Sequence, residues 1–173
     1  MLFRSGIIGQ QINISFASSL RREMVLLAGE KIGDMRAHPT PEAVANIDIA
    51  DLASRRYSRS KARYLVEAAQ AVADRRLDIE ALGEGSAIAA ERALTAQRGI
   101  GIWTARYVLM RGGFADAAPV GDSALATALQ RLHKLPERPD ADGTARLMTA
   151  FAPHRSIATM HLWTYLRETR EAA

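Results

Sequence analysis

Apolar residues recur along this chain at spacings of three and four, and no stretch sustains the period-two alternation of a half-buried strand. The pattern predicts an all-α fold. Its clearest stripe is Ala62, Leu65, Val66, Ala69 and Val72, one face of an amphipathic helix predicted to open at Ser58 or Ser60 and to run through Arg75. Asn13 is placed to cap a helix reaching about Gly29, because its side chain can accept a backbone N–H of the first turn. Thr40-Pro41-Glu42 combines a cap, a proline at the first helical position and an early acid, and opens a short helix. Further helices are expected over Ser86 to Thr95, Ile102 to Arg111, Ser123 to Leu132 behind Asp122, from near Asp142 onward, and over Pro153 to Arg170. The opening segment, Leu2 to Gln11, is short and apolar. It needs a cover, expected either from residues that a truncated N-terminus lacks or from the C-terminal helix.

At 173 residues the chain reads as one helical domain, 1–173, with no internal repeat or linker. That length buries roughly two-thirds of the surface an unfolded chain exposes. It contains no cysteine, which excludes disulfides, a cysteine nucleophile, zinc–thiolate sites and a cysteine-held iron–sulfur cluster. No apolar run approaches the roughly 20 residues that span a bilayer, and Met1 to Ser5 lacks the basic start and cleavage site of a signal peptide. A cytoplasmic monomer with no membrane partner is expected, associated with the nucleoid in a bacterium. Net charge is +4 and the pI about 9.8, which matters because the cations cluster. Arg55, Arg56, Arg59, Lys61 and Arg63 fall within nine residues, with Tyr57 among them. Such a run suits a phosphate-tracking surface, and equally a solvated face.

Two features change the picture. In Arg98-Gly99-Ile100-Gly101-Ile102-Trp103-Thr104-Ala105, between two helical patterns, the glycines allow a tight turn that aims consecutive amide N–H groups outward at the start of a helix. This suits a helix-hairpin-helix clamp on the DNA backbone, with a monovalent cation, Na+ or K+, on the carbonyls of Thr95, Gln97 and Ile100. An ordinary αα-turn with a glycine C-cap would use the same residues. Asp122 follows in Pro119-Val120-Gly121-Asp122-Ser123. It is a good N-cap, and it is also a carboxylate able to stabilise a cationic sugar as a glycosidic bond breaks or to orient the attacking water. Trp103, Trp163 and Tyr107, one turn beyond Trp103, can line a pocket for an extruded, positively charged base or simply fill a core. His154-Arg155-Ser156 opens the last helix, where it can touch phosphate or cap; His161 is read as packed. His38 and His133 have no ligand spacing around them, so no catalytic metal and no cofactor is expected.

With these residues in place, the chain resembles the alkylpurine DNA glycosylases, the 3-methyladenine DNA glycosylase II family of the helix-hairpin-helix (HhH-GPD) superfamily. The likeness runs through Ile7-Ile8-Gly9-Gln10-Gln11-Ile12-Asn13, Ser60-Lys61-Ala62-Arg63-Tyr64-Leu65, and Gly99-Ile100-Gly101-Ile102-Trp103-Thr104-Ala105. It continues through Asp116, Pro119-Val120-Gly121-Asp122, Pro153-His154-Arg155-Ser156 and His161-Leu162-Trp163. The resemblance implies that Asp122 is the catalytic carboxylate, that Trp103, Tyr107 and Trp163 surround a flipped base, and that Gln10-Gln11 supplies the wedge filling the vacated stack. Double-stranded DNA with damaged bases is the implied partner, contacted by Gln10, Gln11, Arg59, Lys61, Thr95, Gln97, Gly99, Ile100, Gly101, Thr104 and Arg155. Superfamily members that also cut the strand carry a Schiff-base lysine where Trp103 stands, so the resemblance implies a monofunctional enzyme. The pattern departs at Arg98, where a proline is usual, at Tyr57, where a glycine is common, and at Gln11, where some relatives use leucine. Methylated adenine, other alkylpurines, hypoxanthine and ethenoadenine all remain candidate substrates. A non-catalytic helix-hairpin-helix module and an all-α interaction domain are the rival readings; neither needs Asp122 together with two tryptophans.

Overall fold

The computed structural model describes residues 6–10 and 12–171 and is built almost wholly from helices. A helical turn at residues 6–8 leads to α1 (Ile14–Ala28), a two-stranded antiparallel hairpin β1 (Lys31–Ile32) and β2 (Met35–Arg36), and then α2 (Pro41–Ala45). There follow α3 (Ile49–Ser54), α4 (Arg59–Ala73), α5 (Ile79–Glu84), α6 (Ala87–Thr95) and α7 (Ile102–Arg111). The chain continues with α8 (Ser123–Leu132), α9 (Ala141–Met148), a 3-10 turn at Thr149–Phe151 and α10 (Arg155–Glu171).

Local chemistry explains most of these boundaries. Asn13, Thr40, Ser86 and Asp122 each accept a backbone N–H of the helix they precede, and Ser58, not Ser60, caps α4 through the Lys61 amide. Helix α4 stops at Ala73 because Arg75 sits in the left-handed region, φ 57°. The last helix begins at Arg155, two residues later than the sequence pattern suggests.

Two buried clusters organise the described residues. The first joins Ile7 and Ile8 to Leu20, Met24, Leu52, Leu65, Leu94 and Leu109; the second is Ala118, Leu125, Ala128, Leu129, Met148, Leu162 and Leu166. Helix α10 packs on α8 through the second cluster, while its Trp163 reaches the first. The opening segment lies against α7, and Trp163 of the C-terminal helix packs on the same cluster. A Cβ added at Gly6 would lie 3.0 Å from Val108 and 3.3 Å from Thr104, and Ile7 and Ile8 are fully buried.

Candidate active site

Asp122 is the N-cap of α8, and one of its oxygens does the capping: Oδ1 accepts from the Leu125 amide at 2.7 Å. The same oxygen accepts from the Trp163 indole Nε1 at 3.0 Å. Oδ2 has no donor among the described residues, so the carboxylate is held at one oxygen and presents the other. The N-terminus of α8 places partial positive charge behind it.

The Trp163 ring continues into an aromatic row. Tyr107 lies 6.3 Å from it, tilted by 40°, and Trp103 stacks on Tyr107 at 5.5 Å and 14°. Trp103 and Tyr107 meet because they stand four apart on α7. All three rings are half-buried. The structure thus brings together the four residues singled out for chemistry: a line of π-faces that ends, through an indole N–H, on a carboxylate.

A loop holds α10 in the register this requires. Arg155 grips Asp116 with both Nε and Nη2, each at 2.6 Å, and the Arg155 amide donates to the same carboxylate. That pairing holds the Asp116 carboxyl below its ordinary range. Ser156 accepts from the Ala117 amide at 2.9 Å, and its own amide donates to the Ala115 carbonyl at 3.0 Å. Arg155, expected on phosphate, thus commits Nε and Nη2 to Asp116, in a pair that stays about a third exposed.

The hairpin between α6 and α7 has the expected form. Gly99 adopts φ 81°, and a Cβ there would fall 2.3 Å from Tyr64 ring carbons, so both angle and space demand glycine. At Gly101, the N-cap of α7, an added Cβ would meet nothing within 4 Å, and no side chain caps the helix. The amides of Gly101, Ile102 and Trp103 have no acceptor among the described residues, which leaves a bare helix N-terminus suited to an anion. Arg106 of α7 grips Glu91 of α6 at 2.6 Å across the turn, a tie the sequence reading missed. Thr104 is buried, its hydroxyl accepting from Gln10 Nε2 at 2.9 Å, and Ile100 is buried as well, so neither side chain reaches outward. Thr95 turns its hydroxyl back onto the Glu91 carbonyl, and the Gln97 amide group lies 3.4 Å from the Ala93 carbonyl.

The cationic run divides on inspection. Arg55 pairs with Glu23 at 2.8 Å, Arg56 lies 4.7 Å over the Phe16 ring, and Lys61 donates to two backbone carbonyls. Tyr57 is buried, its hydroxyl on the Leu20 carbonyl at 2.6 Å; burial, with Glu23 nearby, pushes that phenol well above the usual range. Arg59 and Arg63 are exposed and make neither an ion pair nor a ring contact among the described residues, whereas Arg56, exposed and also without an ion pair, lies over the Phe16 ring. The five-cation surface thus keeps two cations free of both kinds of contact, while Arg55 and Lys61 fasten the fold. Gln10 is engaged by Gly99 and Thr104, and Gln11 lies outside the described residues. His161 is exposed, not packed; with Leu132, Phe151, Ile157 and Tyr165 it lines an apolar groove that includes neither Asp122 nor the aromatic row. No helix of the described residues is long and apolar enough to cross a membrane, and none of their His, Asp and Glu side chains gather in a group that could hold a metal ion.

Residues 5–154 match the family model of the HhH-GPD superfamily base excision DNA repair proteins. A DNA-3-methyladenine glycosylase of Bacillus subtilis is 33% identical over 166 residues, covering 93% of this chain and 55% of its own length. The chain therefore spans about half the length of the curated relatives it matches. Among solved structures, the 3-methyladenine DNA glycosylase of Archaeoglobus fulgidus superposes with a TM-score of 0.81 at 28% identity, covering 96% of this chain and 57% of that one. The DNA-3-methyladenine glycosidase of Bacillus halodurans gives 0.78 at 27% identity, covering 98% and 77%.

Proposed function

The chain belongs to the HhH-GPD superfamily of base excision DNA repair proteins, and from that membership we propose that it is a monofunctional DNA glycosylase that removes alkylated purines from double-stranded DNA. The observation that carries the reading is the 3.0 Å bond from Trp163 Nε1 to Asp122 Oδ1, which seats a half-free carboxylate at the end of the aromatic row. A purine rotated out of the duplex would lie against Trp103, Tyr107 and Trp163, whose π-faces favour a cationic, alkylated ring over a neutral one.

The alkylated base already carries positive charge, so the electron pair of its N-glycosidic bond leaves with it and the departing base is neutral. Positive charge passes to the sugar, where the free Asp122 oxygen stabilises the oxocarbenium-like centre. Water then adds at C1′ and loses its proton, leaving an abasic site in an intact strand. Trp103 offers no amine, so no imine to the sugar forms at that position. The bare amides of Gly101, Ile102 and Trp103 would hold a backbone phosphate, with Arg59 and Arg63 as the free cations of the Arg55–Arg63 run. The carbonyls of Thr95 and Ile100, which accept no hydrogen bond among the described residues, fit the edge of a Na+ or K+ site, completed by Gln97. We take the working form to be a monomer in the cytoplasm.

The test is release of free base from methylated duplex DNA. The proposal expects free 3-methyladenine or 7-methylguanine, unbroken strands bearing abasic sites, and no borohydride-trapped protein–DNA adduct. DNA binding without base release would leave a backbone-binding module, and a trapped adduct would overturn the monofunctional reading.

A further inference from the structure

Lys61, in the first turn of α4, does not project into solvent like its neighbours Arg59 and Arg63. It is half-buried, and its ammonium donates to the carbonyls of Ile8 at 2.9 Å and Gln10 at 3.0 Å, two of the three hydrogen bonds it can make. Gln10 carries the connection onward: its Nε2 donates to the Gly99 carbonyl and to Thr104 Oγ1, both at 2.9 Å. The Gly99 carbonyl shares a rigid peptide plane with the Ile100 amide, which itself donates to Gln97 at 3.1 Å. That plane is therefore held at both edges, by Gln10 on one side and by Gln97 on the other. The orientation of the next amides, those proposed to hold phosphate, depends on it.

We propose that Lys61 is a positioning residue which, through Gln10, braces the segment at residues 8–10 against the hairpin turn, so that the approach to the wedge implied at Gln10-Gln11 and the clamp on the backbone move as one body. The inference rests on the glycosylase reading for its purpose, though not for its geometry. A phosphate contact and a brace differ physically. Removing a phosphate contact neutralises one fewer charge and flattens the salt dependence of binding by about 0.9 per contact. Removing a brace leaves the charge count at the DNA alone and loosens the segment even when no DNA is present. The ammonium's partial burial pushes it below the usual lysine range, as expected for a charge turned inward.

The experiment compares Lys61→Met, which keeps the length of the side chain and loses its donors, with Lys61→Arg, which keeps donors and charge. Three quantities are measured: hydrogen exchange at residues 7–10 without DNA, the slope of log K against log salt on undamaged duplex, and single-turnover base release at saturating enzyme. The brace predicts that Lys61→Met raises exchange by about tenfold, leaves the salt slope unchanged, and slows release by about tenfold, with Lys61→Arg restoring most of the loss. A slope flattened by about 0.9 with exchange unchanged would make Lys61 a phosphate contact and overturn the proposal. Wild-type protein that releases no base would remove the glycosylase reading, and the exchange and salt arms would still decide the brace.

Discussion

The same substitution at two glycines of one turn should have opposite consequences. At Gly99 an alanine Cβ would fall 2.3 Å from the Tyr64 ring, and the residue would have to hold φ 81°. Forcing an L residue into that region costs about 1–2 kcal/mol, and overpacking against a ring already fixed between helices adds roughly 1–3 kcal/mol. Gly99→Ala should therefore lose about 2–5 kcal/mol of stability. In a chain of this size each kcal/mol moves Tm by about 2–4 °C, so the drop should be on the order of 10 °C. At Gly101 the added methyl meets nothing within 4 Å, and φ is an ordinary −84°. Alanine there costs the fold a few tenths of a kcal/mol to about 1 kcal/mol as an N-cap. Its methyl would instead stand in the space where a phosphate approaches the amides. Losing one or two hydrogen bonds to a charged group, about 1.5–3 kcal/mol each, should weaken binding at least about tenfold. Damaged and undamaged duplex should suffer alike, because phosphate contacts carry no base information. Thermal unfolding and fluorescence anisotropy on both variants separate the two effects. A Gly99→Ala protein that melts with wild type, or a Gly101→Ala protein that binds DNA with wild-type affinity, would refute the reasoning for that glycine.

Trp163→Phe keeps a ring in the row but removes the donor to Asp122; losing a hydrogen bond to a charged group should slow single-turnover release about tenfold or more with nonspecific DNA affinity intact. Trp163→Ala should slow release further, and a Phe variant as fast as wild type would show that the indole N–H does not orient the carboxylate. Asp116→Asn should destabilise the fold at neutral pH by about 1 kcal/mol, a modest figure because the ion pair is partly exposed. Arg155 depresses the Asp116 carboxyl below its ordinary 3.8, so this stabilisation is present above that value and is lost as pH falls through the depressed one. The gap between wild type and variant in melting temperature should close below about pH 4, and a gap constant down to pH 2 would contradict the assignment.

Helices with a cap and a buried stripe were legible in the sequence. Asn13, Thr40, Ser58, Ser86 and Asp122 mark their starts by local hydrogen-bond chemistry, and Ala62, Leu65, Val66 and Ala69 are buried as their spacing predicts. Elements too short for a period escaped it. Helix α3 has six residues, α5 buries none of its own, and each strand of the hairpin has two, so none leaves a periodic trace. The Asp122–aromatic grouping came from the family resemblance, since residue type and spacing alone left Asp122 a plain N-cap and the tryptophans a core. The fate of the cations was not foreseen, since charge and spacing do not say whether a side chain turns outward. Lys61, Arg155 and Arg55 each found an acceptor supplied by a segment 32 to 53 residues away. Only the assembled fold reveals such partners.

If Asp122 supplies the charge that lets the glycosidic bond break, as proposed, Asp122→Asn is the substitution that must expose it. Asparagine keeps the N-cap and an oxygen for the Leu125 amide and the Trp163 indole, so the fold and the aromatic row should persist. Only the charge is lost. Removing one electrostatic partner of a transition state costs roughly 3–4 kcal/mol, so single-turnover release of free base from alkylated duplex should fall at least about a hundredfold, with melting temperature and DNA affinity near wild type. Release within about threefold of wild type, a cost under ~0.7 kcal/mol, would remove Asp122 from the chemistry.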